Sequence, residues 1–377
     1  MRHMRDLLEI IARARPAAAL ALAATLVATP AVMLAQEHHH GGDSDWLLFP
    51  SAQGLARTGS NADEPQNDHE WAVVDVLFSH SLGRFRALAE TEVATDEVEI
   101  ERLQFGWEFS ENTLGWIGRF HQPSSAWNIE HHHGQYLQTA ITRPNIERWE
   151  DEGGLIPQHV TGLLLETRGA LGANGGLAVA VGGGAAPVLH DGSLEPIYVL
   201  RTNTGGHRGS WSGRIAYLPD LVGDDSIGLV VAQHDVNVVD PNVAALFGAN
   251  DVQLDVVGAF AKFAGQEWRL QSAYYYVDVH FVTAPTPRTE NFGAGYLQIE
   301  RSTAVRLTPF ARLETSANAG HSTYVSFQPR EFELRRELAG LRWDVSHNQA
   351  LTIEAGRATT LIARFNEVRL QWSAVWP

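Results

Sequence analysis

The chain of 377 residues contains no cysteine and a single lysine, Lys262. The first absence excludes disulfides, thiolate metal centres, a cysteine nucleophile and the lipid-bearing cysteine of a lipoprotein. The second, with a formal charge of −16, sets nucleic acid aside as a partner, because phosphate binding needs clustered Lys and Arg. No Gly-x-Ser-x-Gly elbow occurs, and Gly182 to Gly184 lacks the lysine and following helix of a phosphate loop. His159, His207, His234 and His280 could each meet a distant Ser or Asp, but nothing in their spacing joins them. The chain is therefore expected not to be an enzyme, and the lack of a haem-attachment motif leaves any redox cofactor to a partner. No Pro/Ser-rich linker or shift of composition divides it into soluble domains.

What is present begins with a leader. Arg2, Arg5, Arg13 and Arg15 precede the apolar stretch Ala17 to Ala28, which ends near Thr29 and Pro30. Basic, apolar and small segments in that order predict a secretory signal over 1–35, since the run is shorter than the roughly 20 apolar residues of a spanning helix. Without it the chain loses four arginines and two acids, Asp6 and Glu9, and its formal charge becomes −18. A His-rich tail, 36–45, follows, and 46–377 is expected to form one domain.

That domain alternates. Val368, Leu370, Trp372, Ala374 and Trp376 share one face of an extended chain, while Glu367, Arg369, Gln371 and Ser373 share the other. Leu103, Phe105, Trp107 and Phe109 alternate in the same way with Arg102, Gln104 and Glu108, and Val305, Leu307, Ala311 and Leu313 with Arg306, Thr308, Arg312 and Glu314. A membrane barrel needs this pattern because one face meets lipid and the other a polar lumen. A soluble sandwich also shows it, so the connections discriminate.

Strands are predicted near 46–57, 70–81, 84–94, 98–109, 114–121, 158–169, 175–185 and 206–218, and again near 226–236, 251–263, 267–281, 292–301, 304–315, 329–345, 348–358 and 362–376. Connections after every second strand are short: 82–83, 110–113, 171–174, 219–225, 264–266, 302–303 and 346–347. The intervening ones include 58–69, 122–157, 186–205, 237–250 and 316–328, with only 95–97 and 359–361 short. Loop lengths sorted by parity predict an all-β transmembrane antiparallel barrel of about sixteen strands, with short turns at one end and long loops at the other. Sixteen strands would enclose a wide aqueous lumen.

The longest loop carries Pro123, Trp127-Asn128 and Thr142-Arg143-Pro144 behind Gly118-Arg119. This run resembles the one around the third external loop of the bacterial outer-membrane porin superfamily, although Trp376 here stands before Pro377 where family members end on an aromatic residue. The resemblance implies a barrel in the bacterial outer membrane, in contact with its lipid and possible as a homotrimer. It also implies a third loop that folds inward as a constriction. Expected there are Arg119, Glu130, Arg143, Glu147, Glu150, Asp151 and Glu152, facing wall arginines Arg86, Arg102, Arg306, Arg312 and Arg369. Opposed charges would set a transverse field that favours small polar solutes and ions, or the same groups would simply solvate the lumen. His131, His132 and His133, echoed by His38 to His40, could meet zinc or copper, since neutral imidazole is their commonest ligand. No resident cofactor is otherwise expected. Passive diffusion of small polar solutes is thus the first expectation. A Zn/Cu uptake porin is an alternative, as is a barrel scaffold for a periplasmic partner or an outer-membrane enzyme. Tryptophans and tyrosines at strand ends, among them Trp71, Trp107, Trp116, Trp268, Tyr274 to Tyr276, Trp343 and Trp376, suit headgroup belts.

Overall fold

Short turns make sequence neighbours into pairing partners, and alternation leaves no apolar edge to end the sheet, so closure is the one way to satisfy every backbone group. A computed structural model shows this closure. It describes residues 43–60, 69–94, 98–131, 134–150, 152–172, 174–199, 202–221, 223–285, 287–328 and 331–377. The expected signal, the tail up to 42, and His132, His133 and Asp151 lie outside the described residues.

The strands are β1 (Asp43–Ser60), β2 (His69–Leu82), β3 (Phe85–Ala94), β4 (Val98–Ser110), β5 (Thr113–His121), β6 (His159–Leu171), β7 (Gly175–Ala185), β8 (Val188–His190) and β9 (Ser193–Glu195). They continue with β10 (Gly209–Leu218), β11 (Ser226–Asn237), β12 (Asp251–Ala264), β13 (Trp268–Phe281), β14 (Arg288–Arg301), β15 (Leu307–Ala317), β16 (Glu333–Asp344), β17 (Gln349–Thr360) and β18 (Arg364–Ala374). All except β8 and β9, which form a separate hairpin, pair antiparallel with their neighbours, and β1 closes on β18 through pairs such as Ser51 with Ser373. Sixteen barrel strands stand where sixteen were expected. Two helices, α1 (Ala126–His131) and α2 (Pro241–Phe247), lie in long loops. No helix among the described residues is long and apolar enough to cross a membrane, which says nothing about crossing by strands.

The boundaries differ in a few places. β1 begins at Asp43, so 43–45 belong to a strand and not to the tail. β15 begins at Leu307, because Thr303 closes a turn by donating from N and Oγ1 to Leu307 O at 3.1 and 2.8 Å. Arg306, expected on the lumen wall, is therefore an exposed turn residue with φ +59°. Proline costs little in these strands. The β1–β18 ladder skips Pro50 and resumes as the bridge Leu48 to Trp376, while Pro309 lies just past Phe310, where the β14–β15 ladder has ended.

Outward residues such as Phe105, Ile117, Leu163, Leu229, Val257 and Leu313 are exposed, which is the apolar band a lipid bilayer requires. Trp46, Trp107, Trp268 and Trp343 stand exposed near the short-turn end as one aromatic girdle. Trp116 and Tyr275 instead face inward: Trp116 Nε1 donates to Glu166 at 3.0 Å and Tyr275 is buried.

The interior is divided into two arcs. Along β11–β14 most inward residues are apolar, among them Val230, Leu254, Val277, Phe281, Phe292 and Tyr296. Long loops cover them with Trp127, Ile146, Leu155, Leu189, Phe247 and Phe327, so this side of the lumen is a packed core and not water. The wide aqueous lumen expected from strand number is not met here, because loops fill it. α2 shows how such a loop is built: Asp240 Oδ1 accepts from Asn242 N and Val243 N, Pro241 opens the helix, and Gly248 ends it at φ +61°. This places Phe247 edge-on to Phe281 at 5.4 Å. The other arc, β16–β18 with β1–β4, is charged.

Gly118 has φ +135°, and a Cβ there would collide with Leu103 O. Gly118→Ala is expected to unzip β4 from β5 at the base of the longest loop and to lower the yield of refolded barrel sharply, read by the mobility shift of unheated protein on a gel. Refolding as efficient as the parent's would sink this.

Candidate functional site

The segment between β5 and β6 leaves one wall and is fastened to the opposite one. Ser125 starts α1 as its N-cap, accepting from Asn128 N at 3.3 Å. Glu147 returns beneath the helix and accepts from Ser125 Oγ (2.5 Å), Trp127 N (2.7 Å) and Tyr275 OH (2.6 Å). Burial pushes its carboxyl up from the usual range, and these donors oppose that shift. Asn128 bridges Glu147 O, Gln158 Oε1 and, as acceptor, Arg143. Glu150 clamps the loop's exit by accepting from Gln158 N, His159 N and His159 Nδ1 at 2.6 to 2.8 Å. Its burial favours the neutral form, but His159 and these N–H groups leave it below the ordinary value.

Across the lumen the loop's backbone meets buried charges from β14 to β17. Arg312 donates to Thr142 O (2.7 Å), Thr142 Oγ1 (2.8 Å) and Arg143 O (3.0 Å) while paired with Glu314 at 2.8 Å. Glu354 accepts from Ile141 N at 3.0 Å and Thr142 Oγ1 at 2.7 Å, and Glu314 from Asn145 N at 2.6 Å. Arg342 donates to Tyr136 O and Gln138 O, and Thr139 Oγ1 to Glu300. Cavities of about 700 and 540 Å³ remain on the short-turn side of this crossing. Ile129 and Glu130 line the first, Tyr136 and Leu137 the second.

The expected site residues thus separate. Glu147, Glu150 and Arg312 hold the loop. Arg143 is buried, its guanidinium 4.3 Å over the Trp149 ring, and burial draws its pKa down; Asp75, Glu90, Glu92 and Glu152 are its acidic neighbours. Glu130 pairs with Lys262 at 2.7 Å, and Arg86 with Glu108 at 2.6 Å near the short-turn end. Arg102 meets Glu90 at 2.6 Å, Arg119 meets Glu101 at 3.3 Å beside the Tyr198 ring, and Arg369 meets Glu367 at 3.3 Å. Glu152 is exposed. His131 packs on Trp127 and reaches Gln271 at 3.3 Å.

Other members of the charged arc were not anticipated. Asp75, Glu92 and Glu99 stand on β2–β4, and a bulge between β3 and β4 leaves Glu101 without a ladder partner, so Glu101 and Arg102 are both buried inside. Arg57, Arg148 and Arg336 gather on the β1, loop and β16 side around Glu333 and Glu367. Parity could have found Glu90 and Glu92, which share a face with Arg86. It could not have found Glu101, which the bulge displaces.

A closed antiparallel sheet of sixteen strands, apolar outside and crossed inside by its long loop, is a porin-like β-barrel. Solved structures with the same architecture include the anion-selective porin of Comamonas acidovorans (TM-score 0.59, 10% identity, 89% of this chain and 100% of that one). Others are Salmonella typhi OmpF, solved with daunomycin (0.59, 10%, 88% and 97%), and OmpT, an outer membrane protein of Vibrio cholerae (0.55, 10%, 90% and 99%). At these identities the likeness is one of fold. No protein-family model matches the chain, and no curated protein does.

Proposed function

We propose that this chain is a narrow channel of the bacterial outer membrane, through which small ions and polar solutes diffuse along the charged arc, cations ahead of anions. One observation carries this reading: loops seal the apolar arc, while carboxylates at Glu92, Glu99 and Glu152 keep partial or full solvent exposure on the other side. Asp75 lies buried beside them, and Glu90 is paired with Arg102 at 2.6 Å. A one-sided acidic wall in a low-dielectric tube concentrates cations and orients polar solutes, whereas apolar solutes lose their hydration without compensation. Four arginines on the β16–β1 side, Arg57, Arg148, Arg336 and Arg369, share Glu333 and Glu367, so part of their charge opposes the acids from the facing wall.

The test is the reversal potential of the refolded protein in a planar bilayer under a KCl gradient. Potassium is expected to permeate ahead of chloride, and Glu99→Gln with Glu152→Gln to bring the ratio toward unity. Equal or chloride-favouring permeation in the parent would refute the cation preference, and no conductance at all would return the barrel to a scaffold role.

A further inference from the structure

From a cluster at the long-loop end, the structure assigns a binding site for a divalent first-row transition metal ion of the zinc or copper type, formed by His190, Asp191, Glu195 and His207. It does not depend on the barrel's conducting, and it is distinct from the His131 to His133 segment.

The hairpin β8–β9 turns at Asp191 (φ +46°) and Gly192 (φ +78°), the two left-handed positions of a tight two-residue turn. That turn sets His190 opposite Ser193 and carries Glu195 back beside the imidazole. His190 Nδ1 lies 3.0 Å from Glu195 Oε1 and 3.7 Å from Asp191 Oδ2, and the ligand atoms of the three residues all lie within 4.8 Å of one another. One nitrogen and two carboxylates this close can converge on one ion and supply three ligands of a four-coordinate site.

His207 supplies a second, separate observation. It lines the same cavity of about 270 Å³ as His190 and Glu195 but stands outside their 4.8 Å group, so the cavity must close on the ion for His207 to ligate. Its Nδ1 is 2.8 Å from Ala186 O, and a carbonyl can only accept, so the ring proton sits on Nδ1 and the Nε2 lone pair is free. That Nε2 is buried with no hydrogen-bond partner. A backbone carbonyl fixing one ring nitrogen so that the other can ligate is the usual outer arrangement of a metal-binding histidine. The surroundings are built too. Thr204 Oγ1 donates to Glu195 Oε2 at 3.2 Å, and Asn203 bonds Tyr198 N and O at 2.6 and 2.9 Å. Asp191 and His190 keep solvent access, which gives an ion a way in.

Two imidazoles and two carboxylates suit zinc or copper better than calcium or magnesium, which prefer all-oxygen sets. On binding, the ion takes the place of the proton on His190 Nδ1, and the neutral ring carries its proton on Nε2. The hairpin's other residues, Leu189 and Leu194, pack into the apolar core, so an ion held here fastens that loop over the filled half of the barrel.

The test uses the full chain with His38 to His40 and His131 to His133 replaced by alanine, which removes the other clustered imidazoles. Zinc titrated against a chromophoric chelator should give one equivalent bound, weakened at least about tenfold by His190→Ala, by His207→Ala and by Glu195→Gln. Copper loaded at one equivalent should show two coupled nitrogens by electron paramagnetic resonance, and one in either histidine variant. The gel-mobility shift of unheated protein reports whether each variant has folded. No stoichiometric zinc in the parent background, or an unchanged two-nitrogen spectrum in folded His207→Ala, would overturn the assignment.

Discussion

Arg312→Ala is expected to free the middle of the long loop from the far wall, giving a larger and noisier single-channel conductance and a barrel less resistant to urea. Arg312 is wholly buried and meets four partners at once: Glu314, Gln298, and the Thr142 and Arg143 groups of the loop. Its removal leaves Glu314 and two carbonyls buried without that donor. Breaking a buried charge pair from one side costs about 3–5 kcal/mol. Lysine should rescue little, because a single ammonium cannot span the planar fork that reaches Thr142 O, Thr142 Oγ1 and Arg143 O together. Glu354 still holds Ile141 and Thr142, so the loop should be loosened and not lost. Conductance and urea midpoint both unchanged would show that Arg312 is not the latch.

Trp127→Ala should have an effect of similar size by another route. Trp127 is fully buried where the loop meets the apolar arc, edge-on to Tyr296 at 5.7 Å and beside His131 at 4.4 Å. Truncating a buried tryptophan costs about 3–5 kcal/mol from lost transfer energy and the cavity left behind. Water entering that cavity would begin to open the sealed half of the lumen, so added permeability to uncharged solutes is expected, measured by liposome swelling. Phe should keep most of the seal. Since Trp127 and Arg312 hold one loop at two points, its start and its middle, their urea effects should not add, and strict additivity in the double variant would mean that the loop does not act as a unit. Swelling rates equal to the parent's in folded Trp127→Ala would refute the seal.

Strand count and closure were legible because alternation and the parity of loop lengths are local properties. The stretch 362–376 announces its own two faces, and Glu367, Arg369, Gln371 and Ser373 are buried inside as that pattern requires. The long loop stood out by length and by its Pro123, Asn128 and Arg143-Pro144 positions. What its acids do was not legible. Glu147 and Glu150 look like pore-lining charges in one dimension, yet Glu147 is consumed by donors as far as 128 positions away, at Tyr275, and Glu150 by Gln158 and His159. A signal for the filled lumen was present and unused: β12, with Val256-Val257 and Ala259 to Ala261, is apolar on both faces. A strand whose two faces both meet apolar surroundings has that composition.

By itself, then, the sequence determined the strands, their number, their outward face and which loops are long, because a two-residue period and short turns leave an antiparallel chain few ways to pair. The tertiary structure alone decided that the lumen is half core and half charged arc, that Arg312 meets the loop across it and that Arg306 is a turn residue. It alone brought His190 and His207 to one cavity. Those outcomes depend on contacts between segments far apart in the chain, and on one bulge and one left-handed turn that no hydrophobic period records.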